Sequence, residues 1–312
     1  MPTSDDIRIM TWNLFHGQDG ARLGPTLRSA LLRRDVADGT HVHVNTKWLR
    51  EMAALISSRR PTVAALQEVP PLGVAVLAEA TGMQAVHALM PPLIGTTRLR
   101  GRLAERNPDL WQTHEGTANV LLIAPEWQVV PGGVWTVRHN PPAFVVRHAR
   151  ALGLGPRETL HWLLEPRRLV AARLRHRSGR TLTVASMHCH NALVWELIAR
   201  EVRRVVPKIL ERVPPDEPVV VAGDLNAAGR GHPAIMALDA LGLTEQTVQD
   251  LVLDHIFHRH LDVVAPPRAL DTGARELPVT RKGRARLVLL SDHDPVEATY
   301  RLVGCATAAP TT

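Results

Sequence analysis

Five apolar runs in this chain end on a group able to bind a metal ion or a phosphate. They are Ile9-Met10-Thr11-Trp12-Asn13, Ala65-Leu66-Gln67-Glu68, Val184-Ala185-Ser186-Met187-His188, Val221-Ala222-Gly223-Asp224-Leu225-Asn226 and Leu289-Leu290-Ser291-Asp292-His293. A sixth run, 251–257, carries Asp254 inside it. A carboxylate beside a core strand loses solvation and must be paired, hydrogen-bonded or metal-bound. One such acid is readily explained as a structural ion pair. Glu68, Asp224, Asp254 and Asp292, all in similar places, are harder to explain that way. Strand ends of a layered fold can converge on one rim. A hard cation such as Mg²⁺ takes oxygen ligands, which carboxylates and an Asn carbonyl supply. Histidines beside such a site suit proton transfer or phosphate contact near neutral pH.

The rest of the chain reads as helices falling between strands. Apolar residues at helical spacing predict helices over 48–59, over 72–81 with Gly82 closing it, over 194–210, and over 232–241 ending at Gly242. Short apolar runs predict strands over 7–12, 63–66, 119–123, 217–221, 251–257, 287–290 and 297–303. Residues 169–174 and 181–186 read as a hairpin across Arg177-Ser178-Gly179-Arg180, and 134–137 and 143–146 as edge strands. Segment 17–40 reads as a loop insertion with one short helix, and 90–114 as loop over the substrate face. His41, His43 and Asn45 would face one way if extended, in a surface hairpin or against substrate. With no composition break, 1–303 is expected to be one domain of two packed sheets with flanking helices, and 304–312 a disordered tail.

Composition narrows the partners. The formal charge of +7, from 37 Lys and Arg against 30 Asp and Glu, favours an anionic one. Cys189 and Cys305 are too few for a disulfide-stapled scaffold or a multi-cysteine zinc site. Cys189, flanked by His188 and His190, reads as a buried small residue rather than a ligand. No run of apolar residues is long enough to span a membrane. The polar, acidic start has no signal-peptide pattern, so a cytoplasmic bacterial protein is expected, with no obligatory protein partner evident.

The ordered set WN, LQEV, MH, GDLN, LDHIF and SDHDP, running through residues 7–303, resembles the endonuclease/exonuclease/phosphatase superfamily. The resemblance implies a four-layer α/β/β/α sandwich with two packed mixed β-sheets. It also implies hydrolysis of phosphoesters with Mg²⁺, for which Mn²⁺ could substitute. Asn13 and Glu68 look like the family's metal-binding pair, with Asp292 assisting at the metal. His188 looks like the histidine that contacts the scissile phosphate or donates a proton, although His190 is close enough to be the alternative. Asp224 and Asn226 sit as in the GDxN motif, the Asp positioning or activating water and the Asn orienting phosphate. Taken alone, Asn13 could merely cap a turn and Asn226 could be a turn residue. His293 resembles the terminal histidine that contacts phosphate or acts as base, and Asp254 the acid that pairs with it. Arg168 lies where relatives often carry arginine.

Three departures bear on substrate. The 113–119 region lacks the tyrosine that many nuclease members use to hold phosphate, leaving Asn119 as the nearest polar candidate, with His114 and Glu115 beside it. The position after Asp254, next to the candidate site, is His255 where relatives often have tyrosine, and it is read as a substrate contact together with Asn119 and Arg168; His16 lies unusually close to Asn13. Arg98, Arg100, Arg102 and Arg106, together with Arg281, Arg284 and Arg286, could track a phosphate backbone or form a solvated rim. Nucleic acid is the expected substrate. The alternatives are a phosphatase or phospholipase-like hydrolase acting on inositol phosphates, small phosphoesters or lipid head groups, and a catalytically silent binding module. Fold alone does not choose among them.

Overall fold

The computed structural model describes residues 6–20, 24–91, 95–191, 194–246 and 252–302. The expected tail, 304–312, lies outside these residues, as do the first residue of the 251–257 run and the last of 297–303.

In chain order the first half comprises β1 (Asp6–Asn13), α1 (Leu27–Leu31), β2 (Val36–Asp38), β3 (His41–His43), α2 (Leu49–Arg59), β4 (Val63–Val69), α3 (Gly73–Thr81), β5 (Gln84–Met90), α4 (Thr97–Arg106), α5 (Pro108–Trp111), β6 (Thr117–Ile123), β7 (Trp127–Arg138), α6 (Pro142–Ala151) and α7 (Pro156–Leu164). There follow β8 (Arg168–His176), β9 (Thr181–His188), α8 (Trp195–Leu210), β10 (Val219–Asp224), α9 (Pro233–Ala240), β11 (Asp254–Arg259), β12 (Leu261–Ala269), β13 (Glu276–Arg281), β14 (Arg284–Leu289) and β15 (Val296–Leu302).

A six-stranded mixed sheet has the order β12-β15-β1-β4-β6-β5, and a five-stranded mixed sheet the order β11-β10-β9-β8-β7. Their facing sides share one core, in which Ile9, Val63, Leu121 and Ile123 meet Val170, Val184, Val220 and Ile256. Residues of α2 and α3 cover the outer side of the six-stranded sheet, with Met52, Ile56 and Leu77 fully buried there. Residues of α8 and α9 cover the outer side of the five-stranded sheet through Ile198, Val202, Val205 and Leu238. The layers are therefore helix, sheet, sheet, helix, because each sheet alternates its side chains between two apolar faces.

A third sheet, of order β13-β14-β3-β2, was not expected from sequence. Of its three-residue strands, β2 falls inside the segment read as a loop insertion and β3 in the following stretch of His41 and His43; both are too short to leave a period in the sequence. Segment 90–114 is not mainly loop but contains α4 and α5. The helix α4 buries only Gly101 and Ala104, so its apolar stripe is nearly invisible, yet Thr96 caps it by accepting from the Leu99 amide. Residues 143–146 are helical rather than an edge strand: Pro142 sits at the helix start, and Val145 and Ala149 bury one side of α6. Strands β5, β12 and β13 and helix α7 were also missed. Among the described residues no helix is long and apolar enough to cross a membrane.

Candidate active site

The five-stranded sheet lines up its chemistry at one rim. Strands β9 and β10 are parallel with His188 opposite Asp224, and β10 and β11 are antiparallel with Asp224 opposite Asp254. The antiparallel β8–β9 register, which pairs Val170 with Ser186, brings Arg168 opposite His188 at the strand ends. Arg138 is the register partner of Arg168. Register partners point to the same side of a sheet. The side facing the other sheet thus reads Asp254, Asp224, His188, Arg168, Arg138, from carboxylates to guanidiniums.

The six-stranded sheet brings its own groups to this rim. Asn13 ends β1 opposite Gln67 of the parallel β4. Glu68 follows at φ 50°, within a register irregularity between Leu66 and Val69 that turns its side chain out of the ladder. Asp292 and His293 precede β15, which lies antiparallel to β1. Their loop is tied to β1 by the Ser291 hydroxyl donating to the Asn13 carbonyl (2.6 Å) and the Trp12 indole donating to the His293 carbonyl (2.8 Å). Only glycine fits at 223, where a Cβ would stand 1.8 Å from the Met187 carbonyl oxygen.

The two rims meet through Asp224. The Asn13 side-chain amide donates to Asp224 Oδ2 at 3.0 Å, and the Asn226 backbone N–H donates to Oδ1 at 2.8 Å. Two imidazoles face the same carboxylate: His188 Nε2 lies 3.4 Å and His293 Nε2 3.9 Å from Oδ2. His293 Nδ1 is 2.5 Å from Asp254 Oδ2. The Asn226 side chain donates to the Cys189 carbonyl at 3.0 Å, which locks the GDLN turn onto the end of β9.

The electrostatics set the two histidines apart. Burial, then the guanidinium of Arg167, push His188 well below the usual imidazole range. Burial also opposes charge on His293, but Asp254 first, then Asp224 and Asp292, outweigh it and raise the imidazole to about 10. Burial and then Asp254 raise Asp224 to about 7. Burial, together with the nearby Glu68, also raises Asp292, despite the opposing charge of His293.

These residues fit a hard divalent cation. Among the described residues Glu68 is paired only with two imidazoles, His16 at 3.6 Å and His188 at 3.7 Å, both beyond hydrogen-bond range. Glu68 and Asp292 repel each other across an all-oxygen donor set that a cation would neutralise. The buried Oδ1 of Asp254 likewise has no hydrogen-bond partner among the described residues.

The fold thus brings Asn13, Glu68, His188, Asp224, Asn226, Asp254, Asp292 and His293 together at one rim. Asn119 is fully buried and donates to the Arg168 carbonyl at 2.7 Å, tying the two sheets together behind the rim. His255 does not face the site. One residue beyond Asp254, it points to the opposite side of β11, where its ring nitrogens meet Glu245 Oε2 and the Ala227 carbonyl, each at 2.7 Å. Both nitrogens are occupied, which corrects its reading as a substrate contact. Sequence reasoning passed over Arg167, whose guanidinium lies 2.9 Å from His188 Nε2. The Arg167-Arg168 doublet could have signalled it. His16 is wedged between Glu68 and Glu115, and Glu115 is held by Lys47 at 2.8 Å. Next to Glu68 and Arg167 a cleft of about 400 Å³ opens between Met90, Thr117 and Leu164. Arg98, Arg102 and Arg106 form an exposed row along α4, while Arg100 stacks on Trp111. Arg281 and Arg284 sit at the far end of the β13–β14 hairpin, on the order of 20 Å along β14 from Asp292.

A two-sheet α/β sandwich with carboxylates, amides and imidazoles converging on one rim is the architecture of a class of hydrolases acting on phosphoesters. The chain belongs to the Endonuclease/Exonuclease/phosphatase family, whose sequence model matches residues 10–293. No curated protein matches it. Solved structures share the fold at low identity. An endonuclease/exonuclease/phosphatase family protein from Bacteroides thetaiotaomicron superposes with a TM-score of 0.62 at 12% identity, over 96% of this chain and 98% of that one. A mannosyl-6-phosphatase of the same organism gives 0.60 at 13% identity, over 94% and 98%. The human Nocturnin catalytic domain with a bound sulfate anion gives 0.59 at 17% identity, over 97% of each chain.

Proposed function

We propose that this protein is a divalent-metal-dependent phosphodiester hydrolase whose substrate is nucleic acid. The observation that carries the reading is the order of groups along the rim of the five-stranded sheet. A phosphate held at His188 and His293, beside Asp224, would have its next neighbour in the strand at Arg168 and Arg138. These two arginines are like-charged register partners, an unfavourable pairing unless an anion lies between them. The Nε atoms of both are buried without a hydrogen-bond partner among the described residues. Burial, and then Arg168, push the Arg138 guanidinium down. A substrate with one phosphate leaves this pair unused; a polyanionic strand does not.

Glu68, Asp292 and Asn13 would hold the cation. When bound, it polarises the phosphoryl group and stabilises the departing oxygen. Asp224, raised to about 7, can accept a proton from an attacking water at its carboxylate near neutral pH. Asn13 and the Asn226 amide fix the orientation of that carboxylate. His293, kept protonated by Asp254, presents positive charge to the phosphoryl oxygens. His188 stays neutral under Arg167, which adds a second cation at the phosphate.

A second reading, a hydrolase of small phosphoesters, is favoured by the cleft beside Glu68, whose size suits one sugar or nucleoside. A mannosyl-6-phosphatase shares the fold. The test is Mg²⁺-dependent cleavage of supercoiled plasmid and single-stranded oligonucleotides at fixed salt, with Asp224→Asn in parallel. Cleavage by wild type alone supports the nuclease. Turnover of sugar phosphates with intact DNA and RNA would replace it with the second reading.

A further inference from the structure

On the outer side of the five-stranded sheet, under α8, three more groups converge. His139 follows β7, Cys189 follows β9, and Glu201 projects from α8; all three are fully buried. One ring nitrogen, the thiol sulfur and a carboxylate oxygen lie within 4.8 Å of one another. Neither ring nitrogen of His139 has a hydrogen-bond partner among the described residues, and its Nδ1 stands 3.7 Å from Glu201 Oε2, too far for one. A fully buried imidazole left unsatisfied at both nitrogens is costly and calls for a partner. Glu201 is already oriented. Its Oε1 accepts from the Trp162 indole at 2.9 Å and meets His190 Nδ1 at 2.8 Å, while Oε2 accepts from the His190 backbone N–H at 3.2 Å and keeps a second lone pair on the side of His139.

We propose that His139, Cys189 and Glu201 form a buried site for one Zn²⁺-class cation, separate from the oxygen donors at the rim. The donor set is one nitrogen, one sulfur and one oxygen. Thiolate and imidazole select a borderline-soft ion over Mg²⁺. Burial holds His139 below its ordinary pKa, in the neutral form that ligates. Burial raises the Cys189 thiol and keeps it protonated, so it is the incoming ion that displaces the proton, which leaves for solvent as the sulfur–metal bond forms. The thiolate and the Glu201 carboxylate then balance the two positive charges of the ion, and three protein donors plus a water complete four-coordination. Trp162 and His190 supply the outer hydrogen bonds that fix a ligand's orientation. The ion would brace the end of β9. The Cys189 amide donates to the Asp224 carbonyl at 2.9 Å, and its own carbonyl accepts from Asn226 at 3.0 Å.

The test uses the full chain, stripped with chelator and titrated with Co²⁺ in excess Mg²⁺. A near-ultraviolet thiolate-to-cobalt band should saturate at one equivalent and be displaced by Zn²⁺. It should vanish in Cys189→Ser and His139→Gln and persist in Cys305→Ser and Glu68→Gln. Zn²⁺ should also raise the melting temperature of wild type and not of His139→Gln. If Cys189→Ser does not fold, His139→Gln decides the same question. A folded wild type with no thiolate band, or a band lost in Cys305→Ser and kept in Cys189→Ser, overturns the site.

Discussion

His293 Nδ1 and Asp254 Oδ2 stand 2.5 Å apart, one from the loop before β15 of the six-stranded sheet and the other from the start of β11 of the five-stranded sheet. The contact fixes one ring nitrogen and leaves Nε2 turned to Asp224, 3.9 Å away. Replacing the acid by an amide keeps the size and removes the charge that holds the proton. Asp254→Asn is therefore expected to lower kcat by about 10²–10⁴-fold at saturating Mg²⁺, with an unchanged circular dichroism spectrum. Near-normal kcat would show that the pair is structural.

The arginine pair separates the two functional readings. Arg138→Ala or Arg168→Ala should each raise KM for an oligonucleotide about tenfold, the scale of one charge-assisted contact. Each should also flatten the dependence of log KM on log salt by about one unit. Neither should change turnover of bis-p-nitrophenyl phosphate, which offers a single phosphate. Equal losses on both substrates would place the arginines at the scissile phosphate instead.

The residues at the rim were legible because burying a carboxylate at a strand end is expensive, and that cost leaves a mark in one dimension. Glu68, Asp224 and Asp292 each stand out against the apolar run before them. Groups placed by register across strands leave no such mark. Arg138 ends a strand that was only partly anticipated, and its partnership with Arg168 exists only once β7 lies beside β8. His139, Cys189 and Glu201 come from separate elements at spacings that match no ligand motif. His255 shows the converse. Its place next to Asp254 suggested a shared site, and the two-residue period of the strand sent it to the other side. The helices α4 and α6 were misread because exposed arginines and a short Ala-Phe-Val-Val run carry little helical period.

Backbone crowding gives a stability prediction of its own. A methyl at Gly223 would meet the Met187 carbonyl oxygen at 1.8 Å, a backbone atom of the paired core strand β9. Gly223→Ala should therefore cost about 4 kcal/mol or more, or yield insoluble protein. Gly242 at φ 74° has open space around its Cβ position, so Gly242→Ala should cost only about 1 kcal/mol through backbone strain. Denaturant midpoints of the two variants give the comparison, and similar values would show that β9 and β10 can move apart.

The expected insertion is held by a buried histidine whose charge matters for folding. His43 Nδ1 lies 2.6 Å from Asp19 Oδ1 and Nε2 lies 3.0 Å from Asp109 Oδ1, so both nitrogens carry protons. Burial disfavours that charge, but Asp109 and Asp19 outweigh it and raise the imidazole from 6.5 to about 10. A group whose pKa is higher folded than unfolded stabilises the fold fully below its unfolded pKa and loses that effect as pH rises through its folded value. The contribution, up to about 5 kcal/mol, is thus present at pH 6 and fades between 6.5 and about 10. His293 is raised in the same direction, so the informative quantity is the difference between wild type and His43→Gln at each pH. Urea denaturation should show a large gap at pH 6 that narrows steadily towards pH 10.5. A gap independent of pH would mean that packing, rather than charge, is what His43 contributes.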